Sequence, residues 1–168
     1  ADKLKTEQSK ANQSMLKHWS IKDGVLFFDG KSGGHSLATL KKYKNFEFHV
    51  SWKIAARGDS GIYVRGLPQI QIWDPKDEKA HRFGSDKGSG GIWNNKKLGK
   101  WPLVNADKPA GEWNHFFIRM VGDRLSIWLN GQLTVNDAPL ENLWQKDQPI
   151  PVAEQIEVRL RQHHAGRK

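Results

Sequence analysis

The chain is predicted to be an all-β sandwich: two antiparallel sheets packed face to face, in the manner of a jelly roll, behind a short N-terminal helix. Two observations carry this. Apolar residues recur with period two in one segment after another from Trp19 onward, and the connections between them are rich in Gly, Asn, Asp and Pro. A third is negative, in that helical periodicity is confined to the first eighteen residues.

Residues 1–18 contain good helix formers with Leu4, Ala11 and Met15 at roughly helical spacing, which predicts a polar helical extension, with the domain proper over 19–168. A strand is expected over Val25–Phe28, closed by Asp29-Gly30 and a Ser/Gly turn. Phe46–Ile54 is the clearest strand, with Phe46, Phe48, Val50, Trp52 and Ile54 on one face and Glu47, His49, Ser51 and Lys53 on the other. Gly61–Arg65 and Gln69–Trp73 follow around a Gly66-Leu67-Pro68 turn. Their apolar faces are Ile62, Val64, Ile70 and Ile72. Glutamine has poor strand propensity, so Gln69 and Gln71 beside Trp73 and near Arg65 suggest a face selected for contact. Residues 74–112 predict long loops around one short strand near Gly88–Asn95, and long ordered loops usually carry function. Strands are expected near His115–Val121, Leu125–Asn130 and Gln132–Val135, with Asn130-Gly131 as a two-residue hairpin turn. Gln155–Arg161 is the last.

The chain has 168 residues, enough for one domain with a real core. It has no cysteine, so disulfides and thiolate metal sites are excluded. No apolar run reaches the roughly eighteen residues a membrane helix needs. The net charge of +9 raises nucleic acid as a partner, but the basic residues are dispersed, with local groups at Lys41, Lys42 and Lys44, at Lys96, Lys97 and Lys100, and at Arg159, Arg161, Arg167 and Lys168. A solvated basic surface is the expectation, with neither nucleic acid nor membrane insertion. The eight tryptophans point instead to sugar rings, against which flat indole faces stack. Trp52 and Trp113 are expected in the core.

The segment Asp59-Ser60-Gly61-Ile62-Tyr63-Val64-Arg65-Gly66, followed by Gln69-Ile70-Gln71-Ile72-Trp73-Asp74, resembles the N-S-G-I-Y-x-R-G and Y-E-x-Q-x-x-D signature of the 3-keto-disaccharide hydrolase family. Trp19–Leu26, Gly91–Asn95, Pro109–Asn114 and Leu129–Gly131 match further family segments in the family's order. The resemblance implies a concanavalin-like jelly roll, an extracytoplasmic location and a saccharide partner. It also implies cleavage of glycosides already oxidised at C3. The ketone acidifies the C2 proton, a base removes it, the C1 substituent leaves by β-elimination, and water adds back. On that footing Asp59, Asp74 or a C-terminal histidine, His163 or His164, supplies the base, and Arg65 stabilises the oxyanion or clamps hydroxyls. Tyr63, Gln69, Gln71, Trp73, Trp93 and Asn94 bind substrate, with Trp93 stacking on the ring.

The pattern departs from the family in places. Gln69 stands where Glu is commonest, and an amide cannot act as a base. Asp59 replaces Asn. Gln162–Gly166 only approximates the closing Gln-x-His-Gly element, and the customary opening strand is absent, which would leave a sheet edge open. These departures favour the alternative of a non-catalytic carbohydrate-binding module; a structural or protein-interaction sandwich is the third reading. Plainer roles stand beside each residue: an ion pair of Arg65 with Asp59 or Asp74, a turn at Asp74 before Pro75, packing for Trp93. No His-x-x-x-His or comparable spacing indicates a metal, so the cofactor is left open, a divalent metal included.

Overall fold

A computed structural model describes residues 13, 15–31, 36–66, 69–142, 145, 148–154 and 156–161, the last five in backbone only. The strands are β1 (Trp19–Lys22), β2 (Val25–Phe28), β3 (Leu37–Ala38), β4 (Phe46–Trp52), β5 (Asp59–Tyr63), β6 (Gln69–Trp73), β7 (Asn114–Val121), β8 (Arg124–Leu129), β9 (Gln132–Pro139) and β10 (Glu157–Arg161). Between β6 and β7 lie one short helix, α1 (Glu78–His81), and a 3-10 turn at Ser85–Lys87. The fold is a jelly-roll β-sandwich. One sheet has the order β3-β10-β5-β6, the other β4-β7-β8-β9, and β1-β2 is a separate hairpin. All of the strand pairs are antiparallel.

The period-two pattern is the cause of this architecture, because it gives each strand one face that gains by leaving water. Ile62, Val64, Ile70 and Ile72 of the first sheet meet Phe116, Ile118, Met120, Leu125, Ile127 and Leu129 of the second. Burial of each such side chain contributes about 1.5–3 kcal/mol. In β4 the inward residues are half-buried and the outward ones exposed, as the alternation predicts. The hairpin turn closes at Asn130 (φ 51°) and Gly131 (φ 83°), the left-handed pair that matches strand twist.

Several expectations need correction. β1, β3 and α1 carry no strong periodicity and were not anticipated. The strand expected near Gly88–Asn95 reduces to one antiparallel bridge, Ile70 to Ile92, against the free edge of β6. Trp52 packs on the core as expected, but Trp113 is 44% exposed, under the Lys53 ammonium. Its indole instead gains a cation–π contact at the surface. Of the N-terminal extension, residues 1–12 and 14 lie outside the described residues, and 13 and 15–18 are helical.

Candidate functional site

β5 and β6 pair in the register Asp59↔Trp73, Gly61↔Gln71 and Tyr63↔Gln69. With Ile62, Ile70 and Ile72 turned to the core, these six share the opposite face. Their polar groups form one hydrogen-bonded chain. The Tyr63 hydroxyl donates to Gln69 Oε1 (2.9 Å), Gln69 Nε2 to Gln71 Oε1 (3.0 Å), and Gln71 Nε2 to Asp59 Oδ1 (2.7 Å). Both amides also donate to the Ser60 carbonyl. Gln69 is fully buried and Gln71 nearly so, which buried amides tolerate only when satisfied. Gly61 makes the room: a Cβ there would stand 2.2 Å from Gln69 Nε2.

Residues 90–93 run beside β6, held by Gln71 N–H to the Gly91 carbonyl, Gly90 N–H to the Gln71 carbonyl and Trp93 N–H to the Gln69 carbonyl. Ile92 enters the core and Trp93 lies on the other side, its ring 5.3 Å from that of Trp73 in an edge contact. The Trp73 indole N–H donates to the Gly88 carbonyl. Trp93 in turn meets Trp101 at 6.4 Å. This aromatic chain leads from the polar ladder to an open groove of about 530 Å3 lined by His81, Arg82, Phe83, Lys87, Trp93, Lys100 and Trp101, with Gly84 and Asp86. Lys100 Nζ stands 3.5 Å above the Trp93 ring and 4.7 Å from that of Trp101. Burial, reinforced by the neighbouring Lys96 charge, lowers its pKa.

Two of the anticipated residues have other occupations. Arg65 sits past the end of β5 in a left-handed conformation (φ 49°) and is 4% exposed. Its guanidinium donates to the backbone carbonyls of Gly122 and Pro151, not to Asp59 or Asp74. Asp74 accepts from the backbone N–H of Arg57 (2.8 Å) and Lys76 (3.0 Å), tying the turn before β5 to the turn after β6. Asn94 is buried beside Trp93 in sequence. His163 and His164 lie outside the described residues.

Asp107, Lys87, Lys100 and Trp101 were not singled out from the sequence as site residues. Lys100 was visible only as part of a local basic group, and the length of the 74–112 loop was the one general signal. Asp107 Oδ2 accepts from Ser89 N–H at 2.7 Å, while its Oδ1 is buried without a hydrogen-bond partner. Burial holds its carboxyl above the ordinary range; Asp74 adds to this and the Ser89 hydrogen bonds partly offset it. Among the described residues no group of three or more carboxylate or imidazole side chains converges as a metal cage.

A profile of the 3-keto-alpha-glucoside-1,2-lyase-like domain matches residues 3–167. The chain belongs to this family. A curated relative, the 3-keto-disaccharide hydrolase of Bacteroides thetaiotaomicron, is 26% identical over 127 residues, taking in 57% of this chain. The match covers 42% of that relative's own length. Two solved structures from Parabacteroides distasonis, provisionally described as glycosyl hydrolases, share the fold. One has a TM-score of 0.68 at 23% identity, covering 89% of this chain and 84% of its own; the other has 0.62 at 21%, covering 88% and 78%.

Proposed function

We propose that this domain binds 3-keto-glycosides and cleaves them by elimination and hydration. The observation that carries the reading is the ladder Tyr63–Gln69–Gln71–Asp59, which ends on a carboxylate oriented by an amide and is joined by Trp73 and Trp93 to an open groove of about 530 Å3. Family membership and the name of the curated relative support the substrate class.

In this reading Asp59 removes the proton from C2. The C2–H electrons form the C2=C3 enolate, whose collapse expels the C1 oxygen with its substituent and leaves a C1=C2 double bond conjugated with the restored ketone. The leaving oxygen takes a proton, water adds at C1, and C2 is reprotonated, so the products are a 3-keto sugar and an alcohol. Gln71 holds the Asp59 carboxylate in place, Tyr63 and Gln69 anchor Gln71 from within the buried ladder, and Trp101, 42% exposed, offers its indole to the sugar. Arg65 and Asp74 hold backbone and are given no chemical step. On the family's analogy the domain works outside the cytoplasm.

Incubation with a 3-keto-glucoside, with and without divalent metal and with chelator, tests this by release of the 3-keto sugar. Release that is lost in Asp59→Asn is the expected result. One observation favours a second reading, a carbohydrate-binding module: Gln69 stands at the family's commonest Glu position with its amide committed to Tyr63, Ser60 and Gln71. Saccharide binding without release would select that reading.

A further inference from the structure

The groove is cationic as well as aromatic. Arg82, Lys87 and Lys100 line it, with His81 at its rim, and Asp86 is the one carboxylate among its lining residues. Asp86 lies 3.7 Å from Lys87 Nζ and so offsets one charge of the three. The lysines do not point idly to solvent. Lys100 is held between the rings of Trp93 and Trp101, Lys87 stands 5.7 Å from the Trp101 ring, and Arg82 lies over Phe83 at 4.6 Å. Each cation thus stands beside an aromatic ring, and Trp101 and Phe83 are 42% and 49% exposed.

A neutral sugar needs only the rings and hydroxyl partners. Ammonium and guanidinium groups can serve as hydroxyl donors to a neutral sugar, but an excess of held positive charge gains more from an anionic substituent, to which it supplies a charge-assisted hydrogen bond beside the stacking surface. We infer that the Trp93–Lys100–Trp101 groove is a subsite for a pyranose bearing an anionic group, a carboxylate or a sulfate ester. Lys100 contacts the anion, Lys87 and Arg82 shape the surrounding field, and Trp101 takes the ring face. This rests on the reading that a saccharide enters the groove, and it narrows the substrate class to acidic glycans or glycosides.

The test is calorimetric titration of the wild-type protein with three disaccharides of one linkage: neutral, glucuronate-containing and sulfated. At low salt the acidic ligands are expected to bind about tenfold more tightly than the neutral one, with the preference shrinking as ionic strength screens it. Lys100→Gln, which keeps most of the alkyl stem, should cut the acidic-to-neutral ratio about three- to tenfold, and Trp101→Ala should weaken acidic and neutral ligands alike. Preference for glucuronate alone or sulfate alone identifies the anion. Equal affinity for neutral and acidic sugars, or a ratio unmoved in Lys100→Gln, overturns the inference. Displacement of the acidic sugar by a single-stranded oligonucleotide that binds more tightly at physiological salt also overturns it, in favour of a nucleic-acid surface. Release from a neutral 3-keto-glucoside is scored separately: release without acidic preference removes this inference and leaves the proposed activity, and acidic preference without release does the reverse.

Discussion

Trp101 lies across Gly84 so closely that a Cβ at Gly84 would come within 2.3 Å of the indole ring. Gly84 also has φ 93°, a conformation that side-chain-bearing residues rarely adopt. The outer wall of the groove therefore depends on a missing side chain. Gly84→Ala should displace Trp101, weaken saccharide binding several-fold and cost about 1–3 kcal/mol of stability through strain and lost packing. Tryptophan fluorescence with chemical denaturation would check both effects, and an unchanged emission spectrum would count against this seating.

Glu141 and Asn95 position the loop that carries Lys100. Glu141 N–H donates to Asn95 Oδ1 at 3.1 Å, and Glu141 Oε1 accepts from the backbone N–H groups of Lys96, Lys97 and Leu98 at 3.0, 2.6 and 2.7 Å. Desolvation raises its pKa, but those three donors outweigh it and the net shift is downward. The stabilisation is thus present above the unfolded carboxylate pKa and lost as pH falls through the lower folded value. Because solvent screens the site, Glu141→Gln should cost under about 1 kcal/mol while loosening the groove, seen as faster amide exchange at 96–98.

Arg65 joins the end of β5 to the Gly122 turn and the Pro151 segment. Arg65→Ala should lower stability by about 1.5–3 kcal/mol, since it removes the charged donor from the Gly122 and Pro151 carbonyls. Arg65→Lys should recover only part of this, because an ammonium cannot reproduce the planar fork. A thermal melt at unchanged midpoint for Arg65→Ala would return Arg65 to the list of ligand-contacting groups.

Gln69→Glu restores the residue commonest in the family at this position. In this chain the carboxylate can still accept from the Tyr63 hydroxyl, but it loses the donations to Ser60 and Gln71 and carries charge into a fully buried position. The variant should lose about 1–3 kcal/mol at neutral pH and regain part of it in acid, where the carboxyl is protonated. Denaturation at pH 7 and pH 4.5 reads the difference. Accelerated release of a 3-keto sugar by the same variant would show that glutamine limits the chemistry.

Asp107 gives a pH dependence of opposite sign to Glu141. Its folded pKa is raised by burial, so its favourable contribution is present below the unfolded pKa and declines as pH rises through the folded value. Asp107→Asn keeps a carbonyl acceptor for Ser89 N–H and removes the titration. The stability gap between the variant and the wild type should therefore move in the variant's favour from pH 4 to pH 7. A gap independent of pH would show that the carboxyl does not titrate in this range.

Much of the sandwich was legible in the amino-acid order because alternation is a local property. Gln69–Trp73 and Val25–Phe28 form strands at the expected bounds, and the Asn130-Gly131 turn follows from two residues whose backbone preferences suit it. The shared face of Asp59, Tyr63, Gln69, Gln71 and Trp73 follows from the same period. Tertiary structure decided what these groups do there. No local rule says that Gln69 hydrogen-bonds Gln71 rather than a ligand, that Arg65 reaches carbonyls 57 and 86 residues away, or that Trp101 settles on Gly84. Those outcomes depend on which loops the folded sandwich brings within hydrogen-bonding or van der Waals distance. Both interactions fall off over a few ångströms, whereas separation along the chain says little about separation in space.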